Sequence, residues 1–281
     1  MNQVALITGA SRGIGRGIAL ELAAMGWDLV VNYAGNQTAA EDTAKRCVEQ
    51  AKEAGHTIRA EICQCDVGQA ADRDRLIAFT REHFGRLDLL VNNAGMGDYG
   101  EFTTGNWEKL EQMLSLNITA VTHLAHGFLP GMIRSGHGAV LNVSSLASLL
   151  PIPDFAVYAA SKAYVTSFSE ALRLELQAHD IPVVAVCPGP VHTGFGGIAG
   201  REGSPEETPM REWFFVSKEE VVLEALLAVQ REQPRSYPGL QISLLAAVLA
   251  FMPPSVLRYF MRNRPRAVSY THLTLPTKRI V

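Results

Sequence analysis

The amino-terminal segment joins an apolar run, a glycine-rich turn and a helical pattern, and this combination constrains the fold more than any other feature. Val4–Ile7 is continuously apolar, as expected of a strand buried on both faces of a parallel sheet. Residues 8–15 read Thr-Gly-Ala-Ser-Arg-Gly-Ile-Gly, and apolar residues then recur at helical spacing until Gly26. Glycines let a backbone approach a pyrophosphate closely, and free N–H groups at a helix start attract its charge. We therefore predict a phosphate-binding turn, with a glycine turn that binds no ligand as the alternative.

Further apolar runs alternate with helical patterns along the chain, which predicts an α/β protein. The expected strands after the first are residues 29–33, 57–65, 87–91, 139–143, 183–187 and 236–237. The expected helices include residues 38–54, a long helix over 107–133, another over 156–178 and one that a capping box opens at Ser217.

Composition excludes several classes of protein. A chain of 281 residues can bury a full core, and a net charge of −3 without a basic block gives no electrostatic footprint for nucleic acid. The four cysteines form no Cys-x-x-Cys pair, so we expect neither a zinc site nor a disulfide framework, and no metal at His123 and His126. A reduced, cytoplasmic setting fits, because the amino terminus reads as a strand and not as a signal run.

Tyr158 and Lys162 are the candidate catalytic pair. They lie four residues apart in the expected helix, on one face. A fixed positive charge favours the phenolate and is expected to pull the tyrosine pKa down from ~10, which suits a general acid/base. Ser145 ends a strand thirteen residues earlier, so a loop can place it opposite the phenol. The alternatives are a half-buried tyrosine beside a solvated lysine, and serines that serve only turn chemistry.

The end of the second strand bears on the choice of cofactor. Folds that prefer NAD place an acidic residue there, whereas this sequence has Tyr33 and Asn36 and no carboxylate. Arg12 in the glycine turn offers a fork of donors to a 2′-phosphate, so NADP is favoured over NAD, with a solvated surface charge as the alternative role. Asp66 follows the third strand and either accepts from an adenine amine or caps a turn.

Other strand ends carry polar or turn residues. Asn93 lies in the stretch that ends the fourth strand, and a Pro-Gly turn follows the sixth, where Thr193 is expected to bond a carboxamide. Residues 194–215 lack periodicity and are interpreted as a mobile lid over the substrate. Asn117 lies in an apolar helix, where it is either a structural polar link or holds a water, since an unpaired buried amide costs about 1–3 kcal/mol.

These motifs, in this order from Val4 to Gly239, resemble the short-chain dehydrogenase/reductase family in its compact single-domain form. The resemblance implies a doubly wound, Rossmann-type, mostly parallel seven-stranded sheet that binds a nicotinamide dinucleotide. It also implies that Tyr158 is the acid/base, Lys162 lowers its pKa and holds the ribose, Ser145 orients the substrate oxygen and Asn117 supports a relay water. The implied cofactor-binding residues are Gly9, Ser11, Arg12, Gly13, Ile14, Gly15, Tyr33, Asn36, Asp66, Val67, Asn93, Ala94, Gly95, Tyr158, Lys162, Pro188, Gly189, Val191 and Thr193.

The resemblance leaves the substrate open. The amino-terminal half looks like the 3-oxoacyl-carrier-protein reductases, and the chain from about Met96 onward looks like broad carbonyl reductases. We expect an NADP-dependent reductase of a moderately apolar ketone that forms a homodimer or homotetramer. An NAD-dependent alcohol dehydrogenase and a non-catalytic dinucleotide-sensing regulator are the competing readings.

The carboxyl-terminal part does not fit the catalytic domain, which we assign to residues 1–239. Residues 240–267 are expected to form a helical extension, whose apolar stretch is shorter than the ~20 residues of a membrane span. Two roles stay open: a helical hairpin that closes the pocket or packs on a neighbouring subunit, or a basic amphipathic helix on a membrane surface. Residues 268–281 look like adapter read-through, and we expect them to be non-native and disordered.

Overall fold

The computed structural model describes residues 2–192, 195, 199–200 and 212–262. Thr193, most of the predicted lid and the predicted disordered tail lie outside these residues. Within them, seven strands form one sheet: β1 (Val4–Ile7), β2 (Asp28–Tyr33), β3 (Ala60–Gln64), β4 (Leu89–Asn92), β5 (Ala139–Val143), β6 (Val183–Val186) and β7 (Arg235–Ser236).

The sheet has the order β3-β2-β1-β4-β5-β6-β7, and every neighbouring pair is parallel. This confirms the predicted doubly wound, seven-stranded architecture. The order runs outward in both directions from β1 and β4, so their carboxyl ends flank the crevice where such sheets bind ligands. The glycine turn follows β1 directly, and the turn after β4 lies beside it.

Nine α-helices of the described residues surround the sheet or extend from it: α1 (Gly13–Ala24), α2 (Gln37–Glu53), α3 (Ala70–Phe84), α4 (Trp107–Leu114), α5 (Ala120–Ser135), α6 (Ala156–Leu176), α7 (Lys218–Gln230), α8 (Leu240–Phe251) and α9 (Pro254–Arg262). Ser217 caps α7 as its sequence pattern predicts, because its hydroxyl accepts from Glu220 N at 3.1 Å. The structure confirms the long helix predicted over 107–133 as one continuous helical run, but a π-helical turn, Ser115–Thr119, interrupts its regular α-helical geometry between α4 and α5.

Two apolar cores lie on opposite faces of the sheet. Successive strand residues point to opposite sides, so Ile7 joins one core and Leu6 joins the other. Both side chains are fully buried. Cys63 and Cys65 share one face of the sheet, with their sulfur atoms 3.6 Å apart. The cores hold the strands rigidly and fix the positions of their carboxyl ends.

The extension packs on the sheet through only part of α8. Ile242 and Ala246 are buried in a cluster with Leu146 and Val216. Gly239 (φ +90°) turns the chain into α8. Among the described helices, none alone is long and apolar enough to cross a membrane; α8 and α9 reach that length only together, and a bend of 117° separates them.

Candidate active site

The glycine turn after β1 is tightly packed against the end of β4. Gly9 and Gly13 have φ values of +64° and +60°, which side chains other than glycine rarely adopt. The Asn93 amide donates to the carbonyls of Thr8 (2.8 Å) and Gly9 (3.2 Å). A Cβ on Gly15 would lie 2.4 Å from that amide nitrogen. Close packing therefore requires glycine here, and Asn93 holds the turn in place.

The amino terminus of α1 has the features of an anion site. Arg12 occupies the N-cap position with extended backbone, and its side chain makes no capping hydrogen bond. The first N–H groups of the helix therefore remain available to an anion, and the exposed Arg12 side chain lies beside them. Arg16 is committed elsewhere, because it pairs with Asp42 and donates to Thr43. The cradle thus fits a dinucleotide phosphate.

The residues predicted at the ends of β2 and β3 have local structural contacts. Tyr33 is only 4% exposed and packs in the core. Asn36 caps α2 by accepting from Ala39 N at 2.9 Å. Asp66 accepts from Gly68 N at 2.9 Å, which is the turn role that the sequence left open, while its side chain stays on the exposed surface. Val67 is buried.

Thr8 links the ends of the two central strands, a role that sequence reasoning missed. Its hydroxyl accepts from Asn93 N at 2.9 Å and from Ala94 N at 3.0 Å. The stretch from Asn93 to Gly95 is thereby held against the glycine turn. In the sequence, this role is indicated only by a threonine directly after β1. A threonine at such a position has many other roles in proteins, so it does not identify this one.

Asn117 lies in the π-helical turn and organises the next loop. Its carboxamide accepts from Met96 N (3.0 Å) and donates to Met96 O (2.9 Å) and Ser161 Oγ (3.0 Å). The side chain is fully buried, and these contacts make Asn117 a structural polar link between the helix and the Met96 loop. π-helical turns interrupt helices frequently at functional sites. A Cβ on Gly95 would lie 3.3 Å from both Asn117 Oδ1 and Lys162 Nζ, so glycine keeps this polar cluster open.

Tyr158 and Ser145 meet at the carboxyl edge of the sheet, as predicted. Ser145 follows β5 and caps a short 3₁₀ helix, Leu146–Leu149, by accepting from Ala147 N at 3.1 Å. Tyr158 lies in the first turn of α6, and the Ser145 side chain lies close enough to its hydroxyl to lower the pKa of the phenol. The two side chains therefore lie together at this edge of the sheet.

Lys162 is buried beneath the tyrosine ring. It is 5% exposed, donates to Val143 O at 2.9 Å, and its Nζ atom lies 5.8 Å from the centroid of the Tyr158 ring. Burial lowers the pKa of Lys162 from 10.5 to about 8, against a small opposing contribution from Cys187. Removal from water is the dominant effect on this ammonium.

The pKa of Tyr158 moves opposite to the predicted direction. Burial raises it from 10.0 to about 12; the Ser145 hydrogen bond lowers it and Cys187 raises it further. The prediction considered only the fixed positive charge of Lys162 and not the burial of either group. In the structure both groups are desolvated, and burial of the phenol is the largest contribution to its pKa.

A cluster of aromatic side chains lies around the Tyr158 phenol. Phe155 stacks on Tyr158 at 4.3 Å, Phe195 lies 5.5 Å away, and Tyr99 meets Phe155 edge-on at 5.7 Å. Sequence reasoning missed all three. Phe155 lies three residues before Tyr158, which is a recognisable helix-face signal, whereas Phe195 belongs to a segment without periodicity. Ala199 in the same segment accepts from Tyr99 N at 2.7 Å, so these described residues of the predicted lid close one side of the site.

The turn after β6 forms another wall. Pro188 O accepts from Leu146 N at 2.9 Å, and Val191 forms a bridge with Val216. A Cβ on Gly189 would lie 2.6 Å from Ile242 Cδ1, so α8 packs directly on this turn. Among the described residues no group of three or more potential metal ligands lies together, and His123 instead accepts from Arg73 Nε at 3.2 Å.

A parallel, doubly wound sheet with a glycine cradle and a Ser–Tyr–Lys group at its carboxyl edge defines an NAD(P)-dependent oxidoreductase of the Rossmann type. The sequence profile described as short chain dehydrogenase matches residues 3–200. The chain belongs to the short-chain dehydrogenase/reductase family.

Relatives and solved structures agree with this assignment. A 3-oxoacyl-[acyl-carrier-protein] reductase from Synechocystis is 37% identical over 191 residues, covering 68% of this chain and 75% of the relative. A short-chain dehydrogenase from Sphingobium yanoikuyae, solved in complex with NADPH, is 30% identical with a TM-score of 0.76 and covers 96% of this chain and 99% of that one. A bulky-bulky ketone specific alcohol dehydrogenase from Comamonas testosteroni is 27% identical with a TM-score of 0.74, at 97% and 99% coverage.

Proposed function

We propose that this protein is an NADP-dependent reductase that transfers a hydride between the nicotinamide and a ketone or secondary alcohol, with Tyr158 as general acid/base. The observation that carries the proposal is the meeting of the Tyr158 and Ser145 hydroxyls at the carboxyl edge of the sheet. Two hydroxyls that lie close together suit a single substrate oxygen. The bound nicotinamide supplies the hydride, and the chain supplies the proton.

Burial raises the pKa of Tyr158 to about 12, and in the proposed reduction the protonated phenol donates to the ketone oxygen. Ser145 orients the substrate oxygen, and Lys162 is positioned to hold the nicotinamide ribose from below. Asn117 fixes the loop at Met96 beside these groups through two backbone hydrogen bonds, which supports its role as the anchor of a relay water.

Three features support NADP as the cofactor. The end of β2 offers no carboxylate to a ribose hydroxyl, Arg12 is exposed and forms no ion pair with a described residue, and the start of α1 lacks a side-chain cap. The Sphingobium relative was solved with NADPH. The residues that would hold the cofactor are those of the glycine cradle, of the stretch Asn93 to Gly95, and of the turn at Pro188.

The side chains that line the site support a moderately apolar ketone as the substrate. Phe155 and Phe195 flank the phenol, and Leu110, Met113 and Ala147 belong to the same buried cluster. The Comamonas relative carries the name of a bulky-bulky ketone specific alcohol dehydrogenase. That name also supports a second candidate, oxidation of a secondary alcohol with NAD, whereas the intact Tyr158–Lys162 pair argues against a regulator without turnover.

Homo-oligomer formation is part of the proposal. On α6, Leu174 is 72% exposed and Tyr164 is 39% exposed. Apolar side chains exposed on the same helix as the catalytic tyrosine support pairing of two copies through α5 and α6. Light scattering of the purified protein tests this directly, and a monomer at all concentrations would contradict it.

The decisive experiment combines cofactor binding with a ketone panel. Dissociation constants for NADPH and NADH are measured first, followed by turnover at the nicotinamide absorbance with bulky and small ketones. Tyr158→Phe is expected to lose turnover and keep NADPH binding. Tyr164→Phe is the matched control, because Tyr164 lies on the same helix and its hydroxyl contacts Thr122 instead. Tighter NADH binding would contradict the Arg12 reasoning, and full activity of Tyr158→Phe would contradict the proposed mechanism.

A further inference from the structure

Helix α8 exposes a continuous apolar stripe. Leu240, Leu244, Val248 and Phe251 are 74%, 60%, 58% and 89% exposed. Their spacing of four, four and three residues places them on one face of the helix. The buried residue Ile242 holds α8 on the catalytic domain from another side. The stripe is therefore held in place while it faces outward, which is unusual for a surface helix.

Helix α9 extends the stripe into a larger apolar surface. It leaves α8 at a bend of 117° and exposes Tyr259 (66%) and Phe260 (59%). A concavity of about 470 Å³ at the carboxyl end of α8 is lined by Ala247, Val248, Phe251 and Met252. None of these residues belongs to the proposed active site, so the surface needs a partner of its own.

The charge of this region identifies the partner. Residues 240–267 contain four arginines and no acidic residue, whereas residues 1–239 contain 19 basic and 28 acidic residues, a net charge of −9. Arg258 and Arg262 are exposed on α9 next to the apolar side chains. Pairing of this surface with its copy would bring like charges together. An anionic bilayer offers both the apolar layer and the opposite charge.

We propose that α8 and α9 form a docking surface for an anionic membrane. The twelve residues of α8 span about 18 Å, well short of the ~30 Å hydrocarbon core, so the helices lie at the interface and do not cross it. The stripe enters the boundary of the acyl chains, and Arg258 and Arg262 bind headgroup phosphates. Because α8 also contacts Gly189 and Leu146, the bilayer lies on the substrate side of the sheet.

Vesicle flotation tests the proposal without any need for turnover. The full chain is floated with phosphatidylcholine vesicles that contain or lack phosphatidylserine. Wild type is expected to bind the anionic vesicles, and Leu244→Asp/Phe251→Asp to lose at least about 100-fold in affinity. Arg258→Gln/Arg262→Gln should lose about 25-fold on anionic vesicles, at about fivefold for each arginine. Leu223→Asp, at a 56% exposed position on α7, is the matched control and should bind as wild type does.

Thermal melting and size-exclusion chromatography of every variant complete the design. Equal melting temperatures show that a loss of binding is not a loss of fold. If wild type fails to float and Leu244→Asp/Phe251→Asp dissociates an oligomer, the stripe is a subunit interface and the proposal is overturned. Failure of wild type to float without any change of oligomer overturns it as well. Equal binding to neutral and anionic vesicles would overturn the proposal that Arg258 and Arg262 bind anionic headgroups.

Discussion

Lys162 provides the sharpest test of the electrostatics of this site. Its ammonium is buried, and its folded pKa of about 8 lies below the ordinary value of 10.5. Between these two values the unfolded chain binds more protons than the folded protein. The free energy of unfolding of wild type should therefore rise with pH across this window, and Lys162→Met should lack this rise.

The size of the effect follows from the same two values. The lowering of the Lys162 pKa corresponds to a penalty of about 3 kcal/mol on the charged form, and about 2.5 kcal/mol of it is relieved between about pH 7 and about pH 10. Loss of the hydrogen bond to Val143 O also destabilises Lys162→Met. That loss is the same at both pH values, so it cancels when the wild-type and mutant changes are compared.

Urea unfolding followed by circular dichroism measures this difference. Wild type should gain about 2.5 kcal/mol relative to Lys162→Met between the two pH values. Lys45→Met is the matched control, since the Lys45 side chain is 75% exposed and its removal should leave the pH dependence of wild type unchanged. A constant gap between wild type and Lys162→Met at both pH values would refute the argument that burial controls this lysine.

Three further substitutions test the cradle and its supports. Gly15→Ala should destabilise the fold by about 1–3 kcal/mol in urea unfolding, because the added Cβ would clash with a backbone oxygen and the Asn93 amide. Gly35→Ala is the control: Gly35 has open space around it, so this substitution should leave the free energy of unfolding nearly unchanged. Arg12→Glu should weaken NADPH binding by about 10- to 150-fold and NADH binding much less, as calorimetry can show; equal losses would place Arg12 away from the 2′-phosphate. Asn117→Ala should lower the free energy of unfolding by about 1–3 kcal/mol for each polar group that it leaves unpaired. These groups include Met96 N and Met96 O. An unchanged free energy of unfolding would show that another group replaces the carboxamide.

Local sequence patterns predicted the sheet and the main site residues. Val4–Ile7 and Ala139–Val143 are fully buried strands whose apolar runs are visible without any tertiary information. Residues at the carboxyl ends of parallel strands converge, so the meeting of Ser145 and Tyr158 follows from chain order. The glycine turn needs glycine for local reasons of backbone conformation. For these features each short segment carries its own constraint.

Helix periodicity did not predict the π-helical turn at Asn117. The interruption accompanies contacts with Met96 and Ser161, which lie far from Asn117 along the chain. The aromatic wall at Phe195 and the packing of Ile242 on Gly189 likewise depend on segments distant in sequence. Such contacts have no local signature, because they exist only when the elements are packed together.

The sequence by itself predicted the family, the positions of the strands along the chain and the candidate Ser–Tyr–Lys group. Only the tertiary structure decided how those groups behave. Tyr158 and Lys162 are close on one helix by sequence, yet their pKa values are set mainly by their removal from water. Desolvation is the sum of packing from many parts of the chain, and four-residue spacing on a helix contains no information about it.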